Sequence, residues 1–264
     1  MSARYARGPY RVSVVIPVKD DGALLRRCLR ALSLQTRRPD EIVVVDNGSV
    51  DDSAEIARRH GARVVVCADP GIPAASATGY DAALGDLILR LDADCIPART
   101  WVEEIVAALT RRGDVAAVTG GARFVDGPRS LRSWAAAAYL GAYFAVAVPT
   151  LGHLPLFGSN LAFRREVWLR MRHRIHRHAN IHDDLDLAFH LGDQHRIRFA
   201  PRAAMGMSMR PLASARGFAL RIERGVRTVV GHWPADFPPV RWNRIVLRKL
   251  LRRAGILPRR RTVR

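Results

Sequence analysis

An open, mostly parallel α/β sheet flanked by helices, with a mainly helical C-terminal extension, is the fold this sequence predicts. Short β-branched runs recur through the first 120 residues, stretches with helical spacing of apolar residues alternate with them, and Gly, Pro and Asp clusters mark the joins. Strands alternating with helices at this interval form a parallel sheet through right-handed crossovers.

Arg11 to Pro17 is a β-branched run suited to a buried parallel strand. Asp20 or Asp21 can cap the helix that follows, in which Leu24, Leu25, Cys28, Leu29 and Leu32 share one face and Arg26, Arg27 and Arg30 the other. Glu41 to Val45 predicts a second strand, ending at Asp46-Asn47-Gly48-Ser49. Asp51, Asp52 and Ser53 start a second helix that Gly61 ends. Val64 to Cys67, Leu87 to Leu91 and Val115 to Thr119 predict further strands, with helices over Pro73 to Leu84 and Arg99 to Arg112 between them. After about Gly120 the pattern is less regular.

In sheets of this kind ligands bind beyond the carboxyl ends of the strands. Asp20, Asp46, Asp92 and Asp94 all fall there. The last two end an apolar run, Leu89-Arg90-Leu91-Asp92-Ala93-Asp94, and would point the same way if the strand continued. Two such carboxylates repel unless a cation lies between them, and a divalent ion carrying a diphosphate meets that need. The alternative is a solvated acidic turn.

The formal net charge is +19, and only Lys19 and Lys249 are lysines, so the excess is nearly all arginine. Such a surface attracts nucleic acid, anionic lipid or anionic substrate. Cys28, Cys67 and Cys95 are too few and too scattered for a disulfide framework or a cysteine zinc site, which fits a reducing compartment. Met1 to Arg11 shows no apolar signal-peptide core. From Trp134 to Phe163 there is no Asp, Glu, Lys or Arg. Its length suits a membrane span, but Pro149, Pro155, Gly141, Gly152 and Gly158 interrupt it, which favours a buried helix beside an apolar groove. The loop Arg172 to His178 reads as solvated, or as a lid whose charges close over a diphosphate. It shows no compact zinc ligand set. Arg241 to Arg264 holds ten Lys or Arg residues, no acids, and an apolar stripe at Ile245, Val246, Leu247, Leu250 and Leu251. That pattern suits either an amphipathic helix on anionic lipid or a helix packed on the main domain.

Five motifs in order resemble an inverting family 2 glycosyltransferase of the GT-A fold. They are Val14-Val15-Ile16-Pro17-Val18-Lys19-Asp20; Val43-Val44-Val45-Asp46-Asn47-Gly48-Ser49 with Asp51 and Ser53; Leu91-Asp92-Ala93-Asp94; Phe157-Gly158-Ser159-Asn160-Leu161-Ala162-Phe163-Arg164; and Asp183-Asp184-Leu185-Asp186-Leu187. The likeness covers roughly residues 11 to 225. It implies a catalytic domain over 1–225, with a nucleotide-sugar-binding half at 11–120 and an acceptor-binding half at 121–225, followed by a basic tail at 226–264. The resemblance implies transfer of a sugar from a nucleotide-diphosphate sugar to an acceptor hydroxyl with inversion, in polysaccharide, glycolipid or cell-envelope glycan synthesis. The acceptor would be a saccharide or lipid-linked, and the site cytoplasmic or peripheral at the inner face of the cell membrane.

The same resemblance assigns Pro17, Asp20, Asp46, Asp92 and Asp94 to the nucleotide sugar, and Asp94 with Asp92 to a Mg²⁺ or Mn²⁺ ion. Gly158, Ser159 and Asn160 fall to the acceptor, and Asp184 to the base that takes the hydroxyl proton, with Asp183 as its substitute. The acids at 183, 184 and 186 also suit a helix N-terminus, and both roles are compatible. Two departures stand out. The metal-binding His of many relatives is replaced by Met205-Gly206-Met207-Ser208, and the usual Ala-Arg-Asn-x-Gly reads Ala75-Ser76-Ala77-Thr78-Gly79. A nucleotidyltransferase is the nearest alternative enzyme, but Pro17 to Gly22 is a poor triphosphate loop. A nucleic-acid-binding protein is the alternative from another class. No base-reading or stacking module supports it, and nucleic acid is not an expected partner.

Overall fold

The computed structural model describes residues 9–212 and 214–256. The N-terminal half builds β1 (Val12–Val18), α1 (Gly22–Ser33), β2 (Glu41–Asp46), α2 (Ser53–Arg59), β3 (Arg63–Val66), α3 (Ile72–Ala82), β4 (Leu87–Arg90), β5 (Ile96–Pro97) and α4 (Trp101–Thr110). The remainder adds β6 (Val115–Phe124), α5 (Arg132–Leu151), β7 (Leu161–Arg164), α6 (Arg165–Met171), α7 (Asp183–Gly192), β8 (Arg196–Met207), α8 (Ala215–Gly231) and α9 (Pro238–Arg253).

One eight-stranded sheet runs β3-β2-β1-β4-β7-β6-β8-β5. Strands β1 to β4 are parallel, and β7 joins them antiparallel to both β4 and β6. Side chains alternate across β1. Val14 and Ile16 pack with Leu25, Leu29 and Trp101 of α1 and α4, whereas Val15 packs with α3 and with Trp168 and Phe189 of α6 and α7. From β1 the chain moves to one side for β2 and to the other for β4. That reversal opens a crevice beyond the ends of β1 and β4, and the site lies there.

Three expectations change. Strand β4 stops at Arg90, so Asp92 and Asp94 lie in the turn that follows and not on a continuing strand. The uncharged stretch is not a buried helix. It divides at Gly152, whose φ of 72° ends α5. A single stripe of Ala136, Leu140, Ala147 and Leu151 buries α5, leaving Trp134 78% and Val146 72% exposed. Among the described residues α5 is the one helix long and apolar enough to cross a membrane, and 17% of its most apolar window is buried. Finally, residue 225 lies inside α8, so the helical extension starts at Ala215 and the boundary drawn at 225 crosses a helix.

Helix α9 packs on the main body. Its buried Arg241 donates to the Leu151 and Phe189 carbonyls, and Arg244 and Arg248 pair with Asp193 at 3.2 and 2.6 Å. Of the expected apolar stripe, Ile245 is buried, while Val246, Leu247 and Leu250 are more than half exposed. The last basic residues, 257–264, lie outside the described residues.

Candidate active site

A cavity of about 450 Å³ opens at the crevice, a size that suits a small-molecule ligand. Pro17, Val18 and Lys19 from the end of β1, Asn47 from the end of β2, and Arg90, Asp92 and Asp94 from β4 and its turn line one side. Gly158, Ser159, Asp183 and Asp184 line the other. Tyr139 and Tyr143 of α5 and Leu220, Arg221 and Arg224 of α8 close over it.

The centre of this arrangement is Arg90. Its side chain is 3% exposed, and its guanidinium lies 2.8 Å from Asp92 and 3.4 Å from Asp183. A buried guanidinium needs paired carboxylates to offset its lost hydration, and these two come from segments about ninety residues apart. Gly158 is required by the same contact, because a Cβ there would meet Arg90 Nη1 at 1.8 Å. The neighbouring Ser159 donates its hydroxyl to Asp92 at 2.6 Å. Sequence reasoning missed Arg90, although an arginine within the apolar run Leu87 to Leu91 was a visible signal.

Asp94 is pushed up by burial and by the charge of Asp92, and Arg210 opposes both. Arg210 donates to Asp94 at 2.9 Å and to Asp21 at 2.7 and 2.9 Å. Carboxylate oxygens of Asp92 and Asp94 and the Cys95 thiol lie within 4.8 Å of one another. This crowding of two carboxylates in a partly buried turn fits a hard divalent cation.

Across the cavity the two acids of α7 behave differently. Asp183 is raised, chiefly by burial, and accepts from Ser76 at 3.0 Å. Burial would raise Asp184 too, but the His182 ring, Arg90 and the Gly158 N–H outweigh it and hold its carboxyl below the usual range. Asp184 accepts from the Gly158 N–H at 2.6 Å and shares a short hydrogen bond with His182 Nδ1.

Not every residue selected from the sequence reaches the cavity. Asp20 turns outward at φ 51°, accepting from the Val50 N–H, and Asp46 accepts from the Ser49 N–H. Both shape the loops that bring Lys19, Asp21 and Asn47 to the wall. Asn160 is fully buried, and its amide is used by Trp101, Gly121 and Ala203. It pins the turn that presents Gly158 and Ser159 and is not among the residues that line the cavity. The loop Arg172 to His178 does not close over the cavity: Arg172 and Arg177 are held by Asp81 at 3.4 and 2.7 Å.

The pattern of the family described as Glycosyl transferase family 2 matches residues 13–170, more than half of the chain. The chain belongs to glycosyl transferase family 2. It is similar to glycosyltransferase AglE of Haloferax volcanii, 35% identical over 110 residues, which are 39% of this chain and 36% of that one. It also resembles an undecaprenyl-phosphate 4-deoxy-4-formamido-L-arabinose transferase of Pseudomonas aeruginosa, 38% identical over 133 residues, 47% of this chain and 38% of the relative. The chain thus spans less than half the length of either. Mannosyltransferase PcManGT of Pyrobaculum calidifontis, solved with GDP-Man and Mn²⁺, superposes with a TM-score of 0.62 over 94% of this chain and 77% of its own, at 19% identity. This family 2 glycosyltransferase has the GT-A fold, and membership sets aside the nucleotidyltransferase reading.

Proposed function

We propose that this glycosyltransferase moves a sugar from a nucleoside-diphosphate donor to an acceptor hydroxyl with inversion, with Mg²⁺ or Mn²⁺ at the diphosphate. The carrying observation is that Asp92 and Asp94 face Asp183 and Asp184 across one cavity, with Arg90 joining the two sides. The Mn²⁺ and GDP-Man bound by PcManGT support the donor class.

Asp94 and Asp92 would hold the ion, which supplies positive charge to a diphosphate leaving group. Lys19, Arg221 and Arg224 line the same cavity and add fixed positive charge where the leaving group gains its negative charge. Tyr139 and Tyr143 form an amphipathic wall for the sugar. Asp184 takes the acceptor proton as the acceptor oxygen bonds to the anomeric carbon and the carbon–phosphate oxygen bond breaks. Its interactions with His182 and Arg90 keep it ionised, as a base must be. A second reading is favoured by one observation: Asp183, 17% exposed and raised by burial, is the stronger base of the two.

The acceptor is a saccharide or a lipid-linked molecule, as in the relative named for undecaprenyl phosphate. Trp134 and Val146 on α5 and Ile222 and Val226 on α8, two helices that line the cavity, are exposed apolar residues, as are Val246 and Leu247 on α9. With the arginine excess, these residues suit an anionic membrane and a role in cell-envelope glycan or glycolipid synthesis. The test is a panel of nucleotide sugars with Mn²⁺, using acceptors offered free and in anionic vesicles, with the product anomer read by NMR. Inverted product made faster on vesicles is expected. Retained configuration, or no turnover with any donor, would refute the proposal.

A further inference from the structure

Away from the cavity, three histidines converge on one carboxylate. Asp186, fully buried on α7, points Oδ1 at His176 Nδ1 at 2.6 Å, His232 Nε2 at 3.3 Å and His190 Nε2 at 3.7 Å. The His190 and His232 side chains are 8% and 4% exposed, and neither Nε2 has a hydrogen-bond partner. The other nitrogen of His232, Nδ1, lies 2.7 Å from the Thr228 carbonyl. A carbonyl only accepts, so Nδ1 carries the proton, and in the neutral ring Nε2 presents a lone pair to a carboxylate. A lone pair buried against an anion costs free energy unless a cation lies between them.

We propose that His176, Asp186, His190 and His232 form a second metal site, of the closed, imidazole-rich class that takes zinc. Three imidazoles and one carboxylate match the four-coordinate preference of zinc. The ligand atoms already lie within 4.8 Å of one another. Tetrahedral bonds of about 2 Å would hold them roughly 3.3 Å apart, so closure needs small shifts of the ligand atoms, the half-exposed His176 ring among them. On binding, His176 would turn its Nδ1 lone pair to the ion and keep a neutral ring with its one proton on Nε2, any further proton passing to solvent. The outer contacts are those that orient metal ligands: the Thr228 carbonyl holds His232, and the backbone N–H of His176 donates to Asp186 Oδ2 at 3.0 Å.

This site differs in chemistry from the oxygen-rich turn at Asp92 and Asp94, which suits Mg²⁺ or Mn²⁺. It fastens the end of α8, which covers the cavity with Leu220, Arg221 and Arg224, to α7, which carries Asp183 and Asp184. Zinc here is a staple that sets how α8 lies over the reacting groups. The ligands sit at 176, 186, 190 and 232. Only the Asp186–His190 spacing of four residues is compact in sequence, which is why the loop showed no ligand set on its own.

The experiment uses the full chain without a histidine tag, stripped of metal, given zinc and dialysed. Bound zinc is read by elemental analysis, thermal stability with and without zinc is recorded, and Co²⁺ substitution reports geometry through its visible spectrum. One zinc per chain is expected in the wild type and equally in Asp94→Ala, with a rise in melting temperature and a tetrahedral Co²⁺ spectrum. His232→Gln and His176→Ala should lose the zinc and the thermal rise. Because the His176 side chain is 43% exposed, His176→Ala decides the matter if His232→Gln does not fold. Absence of zinc from a folded wild type, zinc retained by His176→Ala at wild-type affinity, or zinc lost with Asp94→Ala would each overturn the site. None of these outcomes depends on which donor the enzyme uses.

Discussion

The guanidinium of Arg210 lies 2.9 Å from Oδ2 of Asp94. A side-chain cation therefore stands against the carboxylate assigned to the metal. Arg210 and a metal ion compete for the same oxygen unless the arginine swings to the diphosphate when donor arrives. Arg210→Gln should bind Mn²⁺ more tightly in the absence of nucleotide and bind the nucleotide sugar more weakly in its presence. Calorimetry of each ligand separately tests this, and two unchanged affinities would remove Arg210 from the site.

Gly158 has no room for a methyl group, since its Cβ would overlap Arg90. Gly158→Ala should displace the guanidinium from Asp92 and Asp183, cost about 1–3 kcal/mol of stability, and reduce turnover further than that loss explains. Denaturant melts and kcat on the same preparation separate the two effects. Wild-type values for both would mean that the Arg90 bridge is not needed.

The two acids of α7 predict different kinetics. Asp184→Asn should lower kcat by about 10²–10⁴-fold, the usual contribution of a general base, with donor KM nearly unchanged. Asp183→Asn leaves Arg90 with one carboxylate fewer and should raise donor KM along with a smaller loss in kcat. If the larger kcat loss falls on Asp183→Asn, the proton acceptor is Asp183.

The docking of α9 should depend on pH through Asp193. Burial would raise that carboxyl, but Arg248, Arg244 and Arg241 outweigh it and hold it below 3.8. A carboxyl depressed in the folded state contributes stability that is fully present above the unfolded value and is lost as pH falls through the folded one. Asp193→Asn should therefore cost about 2 kcal/mol at pH 7, and the difference from wild type should shrink below about pH 4. Thermal melts of both proteins from pH 3 to pH 7 check the sign. A difference that grows at acid pH would contradict it.

Strands β1, β2 and β4 were legible because continuous β-branched runs bounded by turn residues leave one interpretation for a buried parallel strand. The acids at their ends were legible for the same reason. Strand β8 was not, since Arg196, Arg198 and Arg202 break its apolar content while Ile197, Ala200 and Ala203 face the core. The exposure of α5 was hidden as well: an uncharged alanine-rich helix looks buried, and only the packing shows that one stripe is covered. Asn160 and Asp46 have the residue types of binding groups, yet in this fold they satisfy backbone and core partners. Arg90 and the histidine cluster needed distances across the chain that no local pattern carries.

The central claim is that Asp94 and Asp184, ninety residues apart, serve opposite ends of one reaction in one cavity. Mn²⁺-dependent binding of nucleotide sugars to wild type, Asp94→Ala and Asp184→Ala tests it most directly. Wild type should bind a donor only with the metal, Asp94→Ala should lose that binding, and Asp184→Ala should keep it while losing transfer. Donor binding by Asp94→Ala at wild-type affinity would contradict the account.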